Sequence, residues 1–206
     1  MPDAQVTQPG CRVVESTNPG ELAEIYKDTV NIAIWRRPTL GVSQQVLRNG
    51  HFPSLSMTLA PEQVSETLSG RLPEFAQRQT LITDIAWLAE MFACLFDLDQ
   101  LGLRLTVLEK AMCPRFHVDH VPCRLLTSYT GPATEWLPEH RVDRSQLGPG
   151  SPELTPPPHD IQHLQSGDVA LLKGENWDGN EGHGLVHRSP AVADGESRLL
   201  LSLDFA

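Results

Sequence analysis

Four residues in the C-terminal half constrain the fold of this chain more than any other feature. His117 and Asp119 form a His-x-Asp pair, His187 follows far downstream, and Arg198 comes after ten intervening residues. In an extended segment, residues i and i+2 point to the same face, so His117 and Asp119 should project together. His187 must then approach from another strand, which only a closed sandwich or barrel arranges.

These residue types point to metal chemistry. Two histidines and one carboxylate form a facial triad that holds iron(II) on one side and leaves the other coordination positions open. We therefore predict a metal triad of His117, Asp119 and His187. Arg198 opens the last strand, and its planar guanidinium suits a carboxylate because it can bind both oxygens. Taken singly, Asp119 could instead cap a turn, and Arg198 could pair with Asp204 on the surface.

The order of the predicted elements favours an α+β fold, in which helices cover one side of a β-sandwich or barrel. Apolar spacing and helix-start signals predict helices at residues 21–30, with Asn18 as the cap, at 62–77 and at 81–98. Alternation and strand-forming residues predict strands at 31–35, 103–109, 112–119, 124–130, 168–173 and 198–205.

Composition predicts which segments of the chain are irregular. Residues 1–20 are rich in Pro, Gly and polar types and should lie loosely on the surface. Segments 148–158 and 174–184 are dominated by loop-forming residues. We expect residues 1–102 to supply an N-terminal extension and supporting helices. Residues 103–206 should form the metal-binding β core, and the two parts should make one compact unit.

Charge and hydropathy exclude some classes of partner. The net charge is −10, which argues against nucleic acid or an anionic membrane surface as a partner. The N-terminus has neither a basic region nor an apolar run, and the apolar stretch near 85–96 is too short and interrupted to span a bilayer. We therefore expect a cytoplasmic protein whose substrate is a small molecule or another protein.

A second possible metal site overlaps the first. Cys113, His117, His120 and Cys123 lie close together in CPRFHVDHVPC, and cysteine and histidine are preferred zinc ligands. Their spacing matches no standard zinc finger. The alternative is that both cysteines are thiols flanking the metal-binding segment. All four cysteines of the chain are expected to be reduced, since it lacks an export signal and is large enough to fold without disulfides.

The remaining histidines carry weaker signals. His183 and Trp177 lie in the glycine-rich segment 174–184, which could be a mobile lid over the site or a simple surface loop. The others have no clear partner and should be structural or exposed: His140, His159 and His163.

From residue 103 to its end, the chain resembles the Fe(II)/2-oxoglutarate-dependent dioxygenase superfamily. After His-x-Asp come a strand (RLLTSYT), a Gly-Pro-Ala-Thr turn at 131–134 and a Gly-Asp turn at 167–168 that enters an apolar strand. The distal His187 has Pro190 shortly after it, and Arg198 heads the final strand. The resemblance implies a double-stranded β-helix, which is a jelly-roll or cupin-like fold.

The resemblance also implies residue roles. It makes the metal triad the iron(II) site and Arg198 the residue that holds the far carboxylate of 2-oxoglutarate. Some dioxygenases share that carboxylate with a hydroxyl two residues after the arginine, where this chain has Leu200. Ser202, further along the same face, and Tyr129 are the candidate second donors.

The whole chain is also similar to a bacterial family of unassigned function that is often associated with zinc-homeostasis genes. Three functional hypotheses result. The first is an iron(II)- and 2-oxoglutarate-dependent oxygenase of the hydroxylase type. The second is a non-enzymatic zinc-binding or zinc-homeostasis protein on the same fold. The third is a cupin-like enzyme that uses the triad without 2-oxoglutarate.

Overall fold

The strands of this computed structural model, which describes residues 12–48, 52–148 and 150–206, form two sheets. The large sheet has the order β1-β2-β8-β5-β10-β4-β3, and within it only β1 and β2 run parallel among the described strands. Its strands are β1 (Arg12–Ser16), β2 (Val30–Trp35), β3 (Leu55–Leu59), β4 (Leu101–Leu108), β5 (Cys123–Thr130), β8 (Val169–Lys173) and β10 (Arg198–Phe205). The small sheet has the order β7-β6-β9 and contains β6 (Glu135–Trp136), β7 (Gln162–His163) and β9 (His187–Arg188).

Helices cover one face of the large sheet. They are α1 (Gln44–Arg48), α2 (Val64–Arg71) and α3 (Arg78–Phe96), preceded by a 3₁₀ helix at Pro19–Tyr26. The buried stripe of α3 includes Ile85, Leu88 and Phe92 at helical spacing, and it packs in the main core with the sheet. By length and composition alone, α3 is long and apolar enough to cross a membrane. A buried core helix meets the same two criteria, so this is weak evidence for a membrane span.

Side-chain alternation separates the two faces of the large sheet. In β10, Leu199, Leu201 and Leu203 pack in the helix-facing core, whereas Arg198 and Ser202 point to the opposite face. The small sheet covers that opposite face through a second apolar cluster. This cluster contains Leu126, Trp136, Ala170, Leu172 and Leu185. The predicted site therefore lies between the two sheets and away from the helices.

The α+β class and most predicted elements are confirmed. Asn18 caps the 3₁₀ helix, its side chain accepting from Gly20 N, and segment 174–184 contains no helix or strand. The predicted helix at 62–77 ends earlier, at Arg71. Leu72 is already extended because Pro73 follows it and disfavours helical backbone in the preceding residue.

One predicted strand is absent from the described part of the chain, and two strands of the large sheet were not predicted. Segment 112–119 is not a strand, since only His117 makes a bridge, to His187, and Pro114 has no N–H to donate. Residues 12–16, expected to be loose, form β1 beside β2, while residues 1–11 lie outside the described residues. Strand β3 was not predicted.

Elements from both parts of the chain share the large sheet. Strand β2 pairs with β8, and β3 pairs with β4, so strands that precede residue 102 flank strands that follow it. The division of the chain at residue 102 stays a prediction.

Candidate metal centre

The metal triad comes together between the sheets although its members lie in separate segments. His117 and His187 exchange two backbone hydrogen bonds of 3.0 Å, and Asp119 follows in the turn before β5. The Nε2 atom of His187 lies 3.4 Å from Asp119 Oδ2, and that of His117 lies 3.8 Å from Oδ1. The three ligand atoms all lie within 4.8 Å of one another, close enough to share one ion.

Backbone carbonyls orient both imidazole rings. Nδ1 of His117 lies 2.9 Å from the oxygen of Arg115, and Nδ1 of His187 lies 3.1 Å from that of Leu185. A carbonyl only accepts, so each Nδ1 carries a proton and each Nε2 faces Asp119. Burial, with repulsion from His187, lowers the pKa of His117 and favours the neutral ring that binds metals.

Arg124 in β5 holds the carboxylate of Asp119 in place. Its Nη1 donates to Asp119 Oδ2 at 2.6 Å, and its Nε donates to Asp204 Oδ1 at 2.5 Å. Burial alone would raise the pKa of Asp119, but the contact with the His187 ring and the positive charge of Arg124 outweigh it and hold the pKa well below its usual range. Asp119 is therefore ionised and oriented, as a metal ligand must be.

A glycine lets two backbone segments pack together beside the triad. Gly174 donates its N–H to the oxygen of Pro122 at 2.9 Å, and Glu175 donates its N–H to that of Asp119 at 2.9 Å. A Cβ atom at position 174 would lie 2.1 Å from the oxygen of Val121 and 2.7 Å from that of Asp119. The metal-binding turn is thus fixed by a contact that requires glycine.

Arg198 is buried among hydroxyl groups. The residue is 1% exposed, and its guanidinium donates to Ser128 Oγ at 3.1 Å, Ser189 Oγ at 3.0 Å and Thr134 Oγ1 at 2.8 Å. Burial lowers its pKa to about 10, and no acidic group among the described residues offsets this effect. The charge is retained at neutral pH without a neutralising partner.

A cavity of about 90 Å³ joins this arginine to the metal triad. Its wall includes His117, His187 and Arg198, together with the apolar side chains of Leu126 and Leu200. Four arginines and no Asp or Glu line it among the described residues. These arginines are Arg104, Arg124, Arg188 and Arg198. The cavity can therefore hold a small anion between the histidines and Arg198.

The structure separates the two candidate second donors to 2-oxoglutarate, Tyr129 and Ser202. Tyr129 lies on the helix-facing side of β5, where its hydroxyl donates to Asp84 Oδ2 at 2.6 Å. The prediction that it contacts 2-oxoglutarate is corrected, because the sheet separates it from the cavity. Ser202 does line the cavity but makes no hydrogen bond to Arg198. Its contact with 2-oxoglutarate stays a prediction.

The four-residue Cys/His zinc site does not form. Cys123 is fully buried in the helix-facing core, where burial raises the pKa of its thiol, whereas Cys113 and His120 are exposed. Within the described ranges, the metal triad is the only group of three or more His, Cys, Asp or Glu that could hold an ion. Cys94, Cys113 and Cys123 are free thiols, and Cys11 lies outside the described residues.

Loop 174–184 does not form a lid over the cavity. Trp177 packs on Tyr26 and Phe96 at the helical side of the molecule, with ring centroids 5.3 and 6.1 Å away. The carboxylate of Glu175 ties the loop to itself by accepting the N–H groups of Gly182 and Gly184. Neither Trp177 nor His183 lines the cavity. Of the two alternatives left open for His140, His159 and His163, structural or exposed, the structure shows the exposed one.

Several functional side chains carried no signal that the sequence analysis used. Arg124 could have been noticed as a cation near Asp119 in the chain, and Ser189 lies two residues after His187. Ser128 and Thr134 reach Arg198 only through strand pairing, so their roles depend on register.

The donor set of the triad fits a divalent transition metal. Two imidazole nitrogens and one ionised carboxylate are borderline and hard ligands, which suit iron(II) and also zinc. The two rings are held by backbone carbonyls and the carboxylate by Arg124, so each ligand has a supporting hydrogen bond.

Comparisons with known proteins identify the family of the chain and show what its fold is similar to. No protein with a curated description matches the chain. A dioxygenase for auxin oxidation from rice is 11% identical with a TM-score of 0.51, over 95% of this chain and 82% of that chain. A dioxygenase for auxin oxidation from Arabidopsis thaliana, solved with 2-oxoglutarate, is 10% identical with a TM-score of 0.50, over 95% and 92%. At such identities the likeness shows the fold alone. The chain belongs to DUF1826, a family of proteins of unknown function whose family model matches residues 16–204.

Proposed function

We propose that this protein is a non-haem iron(II)- and 2-oxoglutarate-dependent oxygenase of the hydroxylase type. The observation that carries the proposal is Arg198, a buried arginine without an acidic partner in the described chain, in the same cavity wall as His117 and His187. Many sites can hold a metal, but a metal triad that shares its cavity with an uncompensated arginine also favours an anionic ligand. 2-Oxoglutarate supplies one carboxylate for the metal end and one for the arginine end.

The cost of burying Arg198 supports a role in binding. A charge removed from water is costly unless a counter-charge or strong hydrogen bonds accompany it. The hydroxyls of Ser128, Thr134 and Ser189 accept hydrogen bonds from its guanidinium but leave its charge uncompensated. A carboxylate bound to the guanidinium would neutralise this charge through two parallel hydrogen bonds.

Each residue of the site has a role in this mechanism. His117, Asp119 and His187 would hold the metal, which when bound supplies oxygen activation for oxidation of the substrate. Arg124 orients Asp119, and the three hydroxyls fix the plane of the Arg198 guanidinium. Leu126 and Leu200 keep water from the cavity wall and so strengthen the electrostatic contacts inside.

The fold supports the same proposal. We infer that the large sheet and the small sheet are the two halves of a double-stranded β-helix, with the triad between them. The fold neighbours described above are dioxygenases, and one was solved with 2-oxoglutarate. A cytoplasmic location and the association with zinc-homeostasis genes stay predictions.

Anaerobic calorimetry of the full chain tests the proposal. Iron(II) is titrated first and 2-oxoglutarate second, with zinc(II) as the comparison metal. We expect 2-oxoglutarate to bind only after the metal, and to bind much more weakly to Arg198→Met. Tight zinc binding without any 2-oxoglutarate uptake would contradict the proposal and favour the zinc-binding function. Uptake that is unchanged in Arg198→Met would show that another group holds the carboxylate.

A further inference from the structure

Three donors at the cavity wall are left unused by the proposed function. Arg104 and Thr106 lie two residues apart on β4 and both line the cavity, as does Ser202. Arg104 is paired in register with Ser202, and such cross-strand neighbours have Cβ atoms about 5 Å apart. The side chains of these three residues, here called the mouth donors, form no hydrogen bond or ion pair with any other described residue.

The mouth donors are separate from the position of Arg198. Ser202 lies four residues further along β10, which corresponds to about 13 Å in an extended strand. The guanidinium of Arg198 is turned towards Ser128, Thr134 and Ser189 instead. A carboxylate held by Arg104 and Ser202 therefore lies at a different position along the sheet from one held by Arg198.

A charge count identifies Arg104, an exposed residue at the cavity wall, as the lining arginine that has no counter-charge among the described residues. The charge of Arg124 is balanced by Asp204, and that of Arg188 by Glu135. With iron(II) and 2-oxoglutarate bound, the charges of the metal, Asp119, Arg198 and the two carboxylates cancel. Arg104 alone keeps a single positive charge, in a protein whose net charge is −10.

Apolar side chains also line the cavity near the mouth donors. Leu126 lies opposite Ser202 and Leu200 lies opposite Thr106, while Met112, which is 55% exposed, lines the same cavity. A ligand that satisfies this wall has an apolar body and one negative group. Arginine and a hydroxyl on neighbouring strands suit a carboxylate in particular, since the guanidinium can donate two parallel hydrogen bonds to it.

We propose that the primary substrate is an apolar monocarboxylate whose carboxylate is bound by Arg104 and Ser202. This inference rests on the proposed function, and it assigns Ser202 to the substrate instead of to 2-oxoglutarate. The apolar body of the substrate then extends over Leu126 and Leu200 towards the metal triad.

Ligand-observed NMR with matched probes tests the inference. The protein is loaded with zinc(II), which is diamagnetic and does not turn over, and is saturated with 2-oxoglutarate. The probes are hexanoate and benzoate, each compared with its neutral amide, hexanamide or benzamide. We expect each carboxylate to bind about tenfold more tightly than its amide. This preference should disappear in Arg104→Gln, weaken in Ser202→Ala, and remain in Arg71→Gln, which changes an exposed arginine on α2.

The outcomes separate this inference from the proposed function. Equal binding of carboxylates and amides, no carboxylate binding at all, or a preference that survives in Arg104→Gln overturns the inference. A preference lost only in Arg198→Met also overturns it, because the probes then occupy the Arg198 position. Binding of 2-oxoglutarate is recorded in the same samples. If that binding is absent, the proposed function fails, and the probes are titrated against zinc-loaded protein alone.

Discussion

Two buried arginines on opposite faces of the large sheet show how differently one fold treats a charge. On the helix-facing side, Arg37 donates to Asp84, with Nη2 2.8 Å from Oδ2, and Tyr129 donates to the same carboxylate at 2.6 Å. Burial tends to lower the pKa of Arg37, but the bonds with Asp84 outweigh it and the pKa is raised. On the cavity side, burial lowers the pKa of Arg198 to about 10.

The two environments are separated by a single step along β5. Tyr129 belongs to the closed cluster with Asp84, and Ser128, its neighbour in the chain, binds Arg198 on the other face. A charge with its partner inside the protein contributes to structure. A buried charge without such a partner can still bind a charged ligand. This contrast distinguishes the environment of Arg198 from that of Arg37.

The largest expected effect comes from removing a metal ligand on the cavity side. Asp119→Ala should abolish iron-dependent turnover and weaken iron(II) binding by more than about 100-fold, since losing even a residue that only orients a ligand costs about 10–100-fold. Calorimetry and oxygen consumption measure both quantities. Asp143→Ala, which changes an exposed carboxylate, is the control. Undiminished turnover in Asp119→Ala would refute the triad.

On the closed side, breaking the cluster should mainly reduce stability. Asp84→Ala leaves Arg37 without its counter-charge and Tyr129 without its acceptor, so we expect the free energy of unfolding to fall by about 3–5 kcal/mol. Urea denaturation measures this change. Glu74→Ala is the control, because Glu74 makes an ion pair with Arg78 while its side chain is 89% exposed. Equal losses from both variants would contradict the comparison.

Removing a charge on the cavity side, at Arg198, should have the opposite consequence for stability. Arg198→Met should reduce 2-oxoglutarate affinity by about 10–100-fold, because a charge-assisted pair is lost. The free energy of unfolding should be unchanged or higher, since an uncompensated charge is removed from the interior. Calorimetry and urea denaturation on one preparation test both parts. A large loss of stability would show that Arg198 stabilises the fold, as Arg37 does, and would contradict the comparison.

The smallest expected effect is a pH dependence that separates the two arginines. The pKa of Arg198 is about 10 in the folded protein, well below the ordinary value of an arginine, so above about pH 10 the unfolded chain binds more protons than the native one. The stability of the wild type should therefore rise relative to Arg198→Met as pH increases from about 8 to about 11. Urea midpoints of both proteins measure the difference. Arg37→Met should show no corresponding rise, because the pKa of Arg37 is raised.

The sequence predicted the parts of the fold that depend on local pattern. Apolar runs located β4, β5, β8 and β10, and residue spacing located the metal triad. It did not reveal β1, because the segment RVVES is short and lies in an otherwise polar N-terminus. It also did not reveal the facing of Tyr129. RLLTSYT has no clean alternation, and a shift of one residue in register exchanges the two faces.

The hydroxyl groups around Arg198 were unpredictable for a related reason. Ser128, Thr134 and Ser189 come from three segments, and the register of β10 against β5 shifts between Leu199 and Leu200. A bulge of this kind redirects side chains without a composition signal. The carry-over from the dioxygenase superfamily therefore located the arginine but not its partners.

The close packing at Gly174 has a consequence at the level of the gene. Every missense change of one nucleotide in a glycine codon introduces a Cβ atom, and here that atom would lie 2.1 Å from the carbonyl oxygen of Val121. In a library of random point mutations, codon 174 should therefore tolerate as little variation as the codons of the metal ligands. Selection would treat this residue as essential although it carries no reactive group.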